Sequence, residues 1–267
     1  MACHYQELKA NARSKLEMAR VRQIAVQGIL RRTLKLIRHF RRKTRLTREP
    51  WRDGSPGEIA LVETLEQIGG SSEIRPEDVV VELRAEKPLD LVMLIDTSVS
   101  MTGRNLALCA VGAAVLSFRL RAEAFSLIAF GSMARVLKPM GVKLTAEQTI
   151  ERILDAPILG YTNIWAGLAC GAQQLRKGRS PLKVGVLLTD GHYNEGDDPE
   201  IIAKRYRRLE VMMTVDAYVN FASSARHRRD LDCCERMARA GRGHVTEVRR
   251  YGHLPERLLG LIRSLQR

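Results

Sequence analysis

The chain has 267 residues, 45% of them hydrophobic, which is enough for one large domain with a core of its own plus an extension. No stretch approaches the 18 or so uninterrupted apolar residues of a membrane-spanning helix, and the opening MACHYQELKANARSK holds no apolar leader core, so the expected address is the cytoplasm. The net charge of +14 is uneven: residues 1–50 carry 14 Lys and Arg against three acids, a balance of +11, and the other 217 residues carry +3. The expected division is a basic amphipathic arm over 1–50, a linker with a short helix and an edge strand over 51–87, and a domain over 88–267.

Residues 5–47 contain no proline and one glycine, Gly28. Val26, Ile29, Leu30, Leu34, Ile37 and Phe40 recur at helical spacing, with Arg31, Arg32, Lys35, Arg38, Arg41 and Arg42 on the other face. This predicts one long helix, or two broken near Gly28, with an apolar stripe covered by the following domain or by a partner. Residues 48–57, REPWRDGSPG, read as a breaker-rich linker. A short helix over about 58–68 and a strand over 79–83 follow.

From residue 91 strands and helices alternate. Strands are expected at 91–96, 124–131, 134–138, 183–190, 211–219 and 244–248. Helices are expected at 103–121, after Thr145, and at 164–176, 199–208, 227–240 and 254–266. LVMLID (91–96) and KVGVLLTD (183–190) are continuous apolar runs, as in parallel strands buried on both faces, and each ends in Asp. The pattern predicts an α/β fold: a doubly wound, mostly parallel sheet with helices on both faces, preceded by the helical extension. Ligands of such sheets bind beyond the carboxyl ends of the strands, at a topological switch point. The five cysteines fit no zinc spacing, and Cys109 and Cys170 lie in small-residue runs that suit buried, reduced thiols.

The chemistry gathers in three segments. Asp96-Thr97-Ser98-Val99-Ser100 follows the first buried strand, Gly160-Tyr161-Thr162-Asn163-Ile164 opens a helix, and Leu187-Leu188-Thr189-Asp190-Gly191 ends the second buried strand. Alternate residues of an extended turn face one way, so Asp96, Ser98 and Ser100 can converge. The blander alternative is that Asp96, Ser98 or Ser100 caps the next helix. Asp-x-Ser-x-Ser alone is a weak signal. In this order and setting, the three segments resemble the metal-ion-dependent adhesion site of von Willebrand factor A domains, a likeness that covers about residues 88–267. It implies that Ser98 and Ser100 bind a cation directly, that Thr162 does so when a ligand is engaged, and that Asp96 and Asp190 act largely through water. Val99 stands where many bacterial relatives have glycine. Oxygen donors from Asp, Ser and Thr suit a hard cation, Mg²⁺ or Mn²⁺. Neutral hydroxyls leave such an ion electrophilic toward an Asp or Glu of a partner protein.

Met101, Tyr161, Trp165, His192, Tyr193 and Asn194 are candidates for the contact rim, with Trp165 equally placed for the core. No nucleophile elbow, phosphate-cradling glycine loop or HExxH helix is present, so binding and not catalysis is expected. The resemblance is to the short intracellular prokaryotic type and implies an adaptor or co-chaperone partnered by a MoxR-type AAA+ ATPase. The 267 residues contain no Walker A sequence, so that ATPase would be a separate subunit. The alternative is nucleic-acid binding through the arm, which has few aromatics for stacking; an anionic membrane surface is a third partner for a basic amphipathic helix.

Overall fold

The computed structural model describes residues 5–12, 14–39, 46–52, 58–69, 75–84, 88–98, 104–157, 160–214, 224–248 and 251–266. Contacts divide the chain into two units: residues 1–40 with 88–262, and residues 41–87 with 263–267.

The first unit is built on a six-stranded sheet. Its strands are β4 (Leu89–Asp96), β5 (Phe125–Phe130), β6 (Ala134–Lys138), β7 (Leu182–Thr189), β8 (Leu209–Thr214) and β9 (Val245–Val248), in spatial order β6-β5-β4-β7-β8-β9. β6 is antiparallel to β5, and every other pairing is parallel. This is the expected doubly wound sheet. Every residue of β4 is buried, which explains its unbroken apolar run. Val92 and Leu94 belong to the cluster under helices α6 (Ile164–Arg176), α7 (Pro199–Ala203) and α8 (Ser224–Ala240). Met93 meets α4 (Arg104–Arg119) on the opposite face, where a side chain on Gly112 would strike Leu258 of α9 (Leu254–Gln266). Cys109, Cys233 and Cys234 are buried free thiols and Cys170 is half-buried; burial pushes Cys109 up to about 12 and Cys233 to about 11, so both stay protonated near neutrality.

Three of the boundaries that differ from expectation concern the arm, α7 and β8. The N-terminal helix breaks not at Gly28 but between α1 (Tyr5–Asn11) and α2 (Lys15–His39), where the Ser14 hydroxyl accepts the Glu17 amide at 3.1 Å and caps the second helix. A lone glycine inside a helix costs only about 1 kcal/mol, and packing of α2 offsets it. The helix expected over 199–208 stops at Ala203, because Tyr206 turns inward, is 2% exposed, and donates its hydroxyl to the Leu168 carbonyl at 2.7 Å. β8 begins at Leu209, two residues early, and residues 215–219 of its predicted span lie outside the described residues.

The arm's stripe is covered by the domain. α2 packs on α4 and on α5 (Ala146–Leu154), burying Ala25, Val26, Ile29 and Thr33. Leu34, expected in the stripe, is 42% exposed, and Phe40 lies outside the described residues. Asp155, at the end of α5, ties the arm down: it accepts from the Tyr5 hydroxyl at 3.1 Å and pairs with Lys9 at 2.7 Å and Arg22 at 2.8 Å. Arg31, Arg32, Lys35 and Arg38 are exposed, while Arg41 and Arg42 lie outside the described residues. Ile29 is 2% exposed. Ile29→Ala is expected to cost about 2–4 kcal/mol in chemical denaturation; a loss near zero would mean that the arm does not hold to the domain in solution.

The second unit holds a small antiparallel sheet, β1 (Leu46–Pro50), β2 (Glu58–Ile59) and β3 (Val80–Arg84), in order β1-β3-β2. Residues 48–50, read as linker, are thus strand: Pro50 sits at the end of an edge strand, where its missing N–H is tolerated. The helix expected from 58 starts at 61. α3 (Leu61–Ile68) ends at Gly69, whose φ of +56° is the left-handed cap that glycine adopts freely. No helix among the described residues is long and apolar enough to cross a membrane.

Candidate metal centre

β4 and β7 lie side by side at the centre of the sheet; the connection after β4 leads to one side of it and the connection after β7 to the other. Their carboxyl ends therefore flank the switch point, and they deliver Asp96 and Asp190 to it.

Asp96 is fully buried. One carboxylate oxygen accepts the Ser98 amide at 2.9 Å, and the other accepts the Thr189 hydroxyl at 3.1 Å. Thr189 in turn accepts the Gly191 amide at 3.1 Å, and its carbonyl accepts from Thr214 at 3.2 Å. Thr189 thus joins the two strand ends. Thr97, a position without obvious function in the sequence, sends both its amide (2.8 Å) and its hydroxyl (3.0 Å) to the Phe130 carbonyl at the end of β5. The turn that carries Ser98 is anchored on both sides.

Asp190 is half-buried and accepts the His192 amide at 3.0 Å. Gly191 makes the turn possible. Its φ is +86°, and a side chain there would lie 2.6 Å from the Asp230 carbonyl oxygen and 2.8 Å from Cys234 Sγ on α8.

Thr162 is 5% exposed. Its amide donates to the Asn194 side-chain oxygen at 2.9 Å, and its carbonyl accepts the amides of Asn194 (3.2 Å) and Glu195 (3.3 Å). The loop carrying Thr162 and the loop after Asp190 are thereby clamped together. Asn163 caps α6 by accepting the Ala166 amide at 2.9 Å and ties the same loop to the Gly131 carbonyl at 2.9 Å.

Electrostatics give this arrangement its chemical direction. Burial raises the Asp96 carboxyl to about 7, and the nearby Asp190 carboxylate pushes it the same way. The hydrogen bonds to Asp96, from the amide and side chain of Ser98 and from Thr189, come from neutral donors. A buried carboxylate beside a second one, with Ser98 on the turn after β4 and Thr162 on the clamped loop before α6, is a hard-oxygen donor set that a divalent cation fits by neutralising the repulsion. The described residues hold no group of three or more His, Cys, Asp or Glu able to take a metal. Ser100, expected as a further ligand, and Val99 lie outside the described residues.

The candidate rim divides. Tyr161 is 63% exposed beside Thr162. Trp165 and Tyr193 are half-buried and pack against the core cluster. His192 is partly exposed, with Nδ1 3.7 Å from an Asp230 carboxylate oxygen. Asn194 is exposed, yet its side chain is engaged in positioning Thr162, a role that only the fold reveals. Met101 lies outside the described residues. The supporting roles of Thr97 and Thr189 escaped the sequence reading, and Asn194 was read only as rim; the one signal for Thr97 and Thr189 was that each is a short polar residue next to a candidate ligand.

The fold and this site together define a doubly wound domain with a hydroxyl-and-carboxylate centre at its switch point. The von Willebrand factor type A domain pattern matches residues 90–257, and the chain belongs to that family. Solved structures agree on the fold. Proximal thread matrix protein 1 from the mussel byssus superposes with a TM-score of 0.53 at 19% identity, over 68% of this chain and 48% of its own. One structure of that protein is described as having a zinc-occupied metal-ion-dependent adhesion motif. A von Willebrand factor type A protein from Catenulispora acidiphila has a TM-score of 0.53 at 18% identity, covering 70% of this chain and 44% of its own. The pilus adhesin SpaC from Lactobacillus rhamnosus GG has a TM-score of 0.51 at 14% identity, covering 67% and 30%. The chain therefore spans less than half the length of these structural neighbours. No curated protein matches it in sequence.

Proposed function

We propose that the chain is a metal-dependent protein-binding adaptor or co-chaperone, acting in the cytoplasm by recognition and not by turnover. The observation that carries this reading is Asp96 buried beside Asp190 at the switch point, with Ser98 bonded to Asp96 and the Thr162 loop tied through Asn194 to the loop after Asp190. Asp96 and Asp190 supply the negative charge that retains Mg²⁺, and Ser98, with Ser100 from the same motif, supplies neutral oxygen. When bound, Mg²⁺ would offer electrophilic charge to an Asp or Glu of the partner protein. Thr162 lies just before α6, where a small loop movement would change its distance to that ion. A separate MoxR-type AAA+ ATPase, in metalloenzyme or complex maturation, is the partnership proposed, on the likeness to short prokaryotic members of the family. The zinc-occupied motif of the byssus protein supports divalent-ion binding as the mode.

Affinity capture from the native host tests this, with wild type, Asp96→Ala and Thr162→Ala, in Mg²⁺ and in EDTA. A partner held by wild type in Mg²⁺ and released by EDTA or by Asp96→Ala is the expected result. Thr162→Ala should weaken the partner about tenfold or more while changing Mn²⁺ affinity less, as a ligand engaged only with the partner would. A partner indifferent to EDTA and to both substitutions would remove the cation from the function.

The exposed Arg31, Arg32, Lys35 and Arg38 on α2 favour a second reading, nucleic-acid binding through the arm. Its mark would be a steep loss of DNA affinity with rising salt, relieved by replacing these four residues.

A further inference from the structure

A second charged feature lies at the opposite end of the sheet. Residues 176–183 and 204–208 carry eight Lys and Arg and no Asp or Glu. The first segment leads into β7 and the second into β8, and these two strands are neighbours. The cations therefore gather at the amino ends of the strands whose carboxyl ends face the metal centre. From Leu182 to Thr189 the strand runs about 23 Å, so the two features are poles of one sheet.

The basic pole contains a cleft of about 410 Å³. Ala172, Leu175 and Tyr206 give it an apolar floor, and Arg176, Lys183, Arg205 and Arg207 stand around it. The floor is fixed by the Tyr206 hydroxyl bond to Leu168. One wall is fixed by Asp90, which is 4% exposed and accepts both the amide (2.6 Å) and the hydroxyl (2.9 Å) of Ser180. Acids of adjoining elements are already engaged: Glu210 pairs with Arg208 at 2.6 Å, and Glu200 with Arg236 at 3.1 Å. Arg176, Arg205 and Arg207 are exposed, and among the described residues none of them forms an ion pair. Three exposed cations around a preformed apolar cleft leave a field that an anionic occupant would satisfy.

We infer that this cleft is a cation-independent docking site for an acidic segment of a partner protein that carries an apolar side chain between its carboxylates. Charge complementarity selects the acids, and the floor takes the apolar group. Nucleic acid fits less well: the floor's one aromatic, Tyr206, is 2% exposed and too covered to stack a base, whereas an aliphatic side chain needs only to fill the cleft above the floor. A membrane surface fits less well too, because no large apolar side chain of residues 172–183 or 204–209 is exposed for insertion. The inference stands apart from the proposed metal-bridged recognition. If both hold, the protein presents two docking points on opposite ends of one rigid sheet, as an adaptor between two proteins requires.

The test is fluorescence anisotropy on the full chain in EDTA, with a fluorescein-labelled peptide Asp-Glu-Leu-Asp-Glu-Leu-Glu-Asp. Binding should weaken about tenfold or more in the Arg205→Glu, Arg207→Glu double variant and be retained by Arg205→Lys, Arg207→Lys. It should be unchanged by Asp96→Ala and weakened when the peptide leucines become serines. Should the double variant unfold, Arg176→Glu, at the exposed end of α6, carries the same expectation. Equal affinity in a folded charge-reversed variant would overturn the inference. So would a requirement for Mg²⁺, or loss in Asp96→Ala, which would assign the peptide to the metal centre. Tighter binding of a thymidine oligonucleotide or of phosphatidylserine vesicles than of the peptide would overturn it in favour of those anions.

Discussion

Asp96→Asn should make the metal-free protein more stable relative to wild type as pH rises from about 4 to about 7, with a constant difference above that. The sign follows from the folded state. Asp96 is raised from 3.8 to about 7 by burial and by Asp190, so the folded protein keeps this proton through a range in which the unfolded chain has released it. Stability from this group is complete below the unfolded value and is lost as pH rises through the folded one. A three-unit displacement sets an upper limit of about 4 kcal/mol on the loss. Asparagine does not titrate and escapes it, apart from a pH-independent offset from altered bonds to Ser98 and Thr189. Divalent cation reverses the order. At pH 7.5, Mn²⁺ at about one hundred times its dissociation constant should stabilise wild type by about 2.7 kcal/mol and leave Asp96→Asn unmoved. Denaturation curves across pH, with and without Mn²⁺, check both halves. Parallel pH profiles, or equal stabilisation of both proteins by Mn²⁺, would remove Asp96 from the centre of the account.

Gly191→Ala is the second large effect, and it separates local geometry from ligand chemistry. Alanine at φ +86° is strained, and its methyl group would meet the Asp230 carbonyl, a backbone atom that cannot rotate away. The expected cost is about 2–4 kcal/mol. The same shift would break the Gly191–Thr189 bond and move Asp190, so Mn²⁺ affinity should fall although no ligand atom is removed. Gly28→Ala is the matched control. Gly28 lies inside α2 with nothing within 4 Å of the position of an added side chain, and alanine there should stabilise by about 0.5–1 kcal/mol. Differential scanning calorimetry and a Mn²⁺ titration of both variants make the comparison. A Gly191→Ala protein as stable as wild type would show that the turn relaxes and that this glycine is not needed for its shape.

The parts of the centre legible in the sequence were those set by a strand end. Asp96 and Asp190 close the two continuous apolar runs, and a run of that kind fixes both the strand and the end at which it stops. Thr162 was legible because it precedes a helix start. The supporting bonds were not, because they join distant residues: Thr189 to Asp96, Asn194 to Thr162, Thr97 to Phe130. Nothing in local periodicity announces such pairings. The arm shows the same limit. Its apolar stripe was visible, but its cover, α4 and α5, lies some 80–130 residues away in the chain. Of its two readings, one long helix or two broken near Gly28, the structure has α2 unbroken through Gly28, where packing offsets the glycine's cost, while the break that exists lies before Ser14, an ordinary capping residue. β1 was hidden by the Pro and Arg of an edge strand, a composition that edge strands share with linkers.

The most direct test of the central claim is a crystal structure of the protein grown in Mn²⁺, with anomalous data collected at the manganese edge. The account predicts one anomalous peak at the carboxyl ends of β4 and β7, within ligand distance of the Ser98 hydroxyl and joined to Asp96 and Asp190 directly or through water. An ordered site with no peak there, or a peak only elsewhere on the molecule, would contradict it.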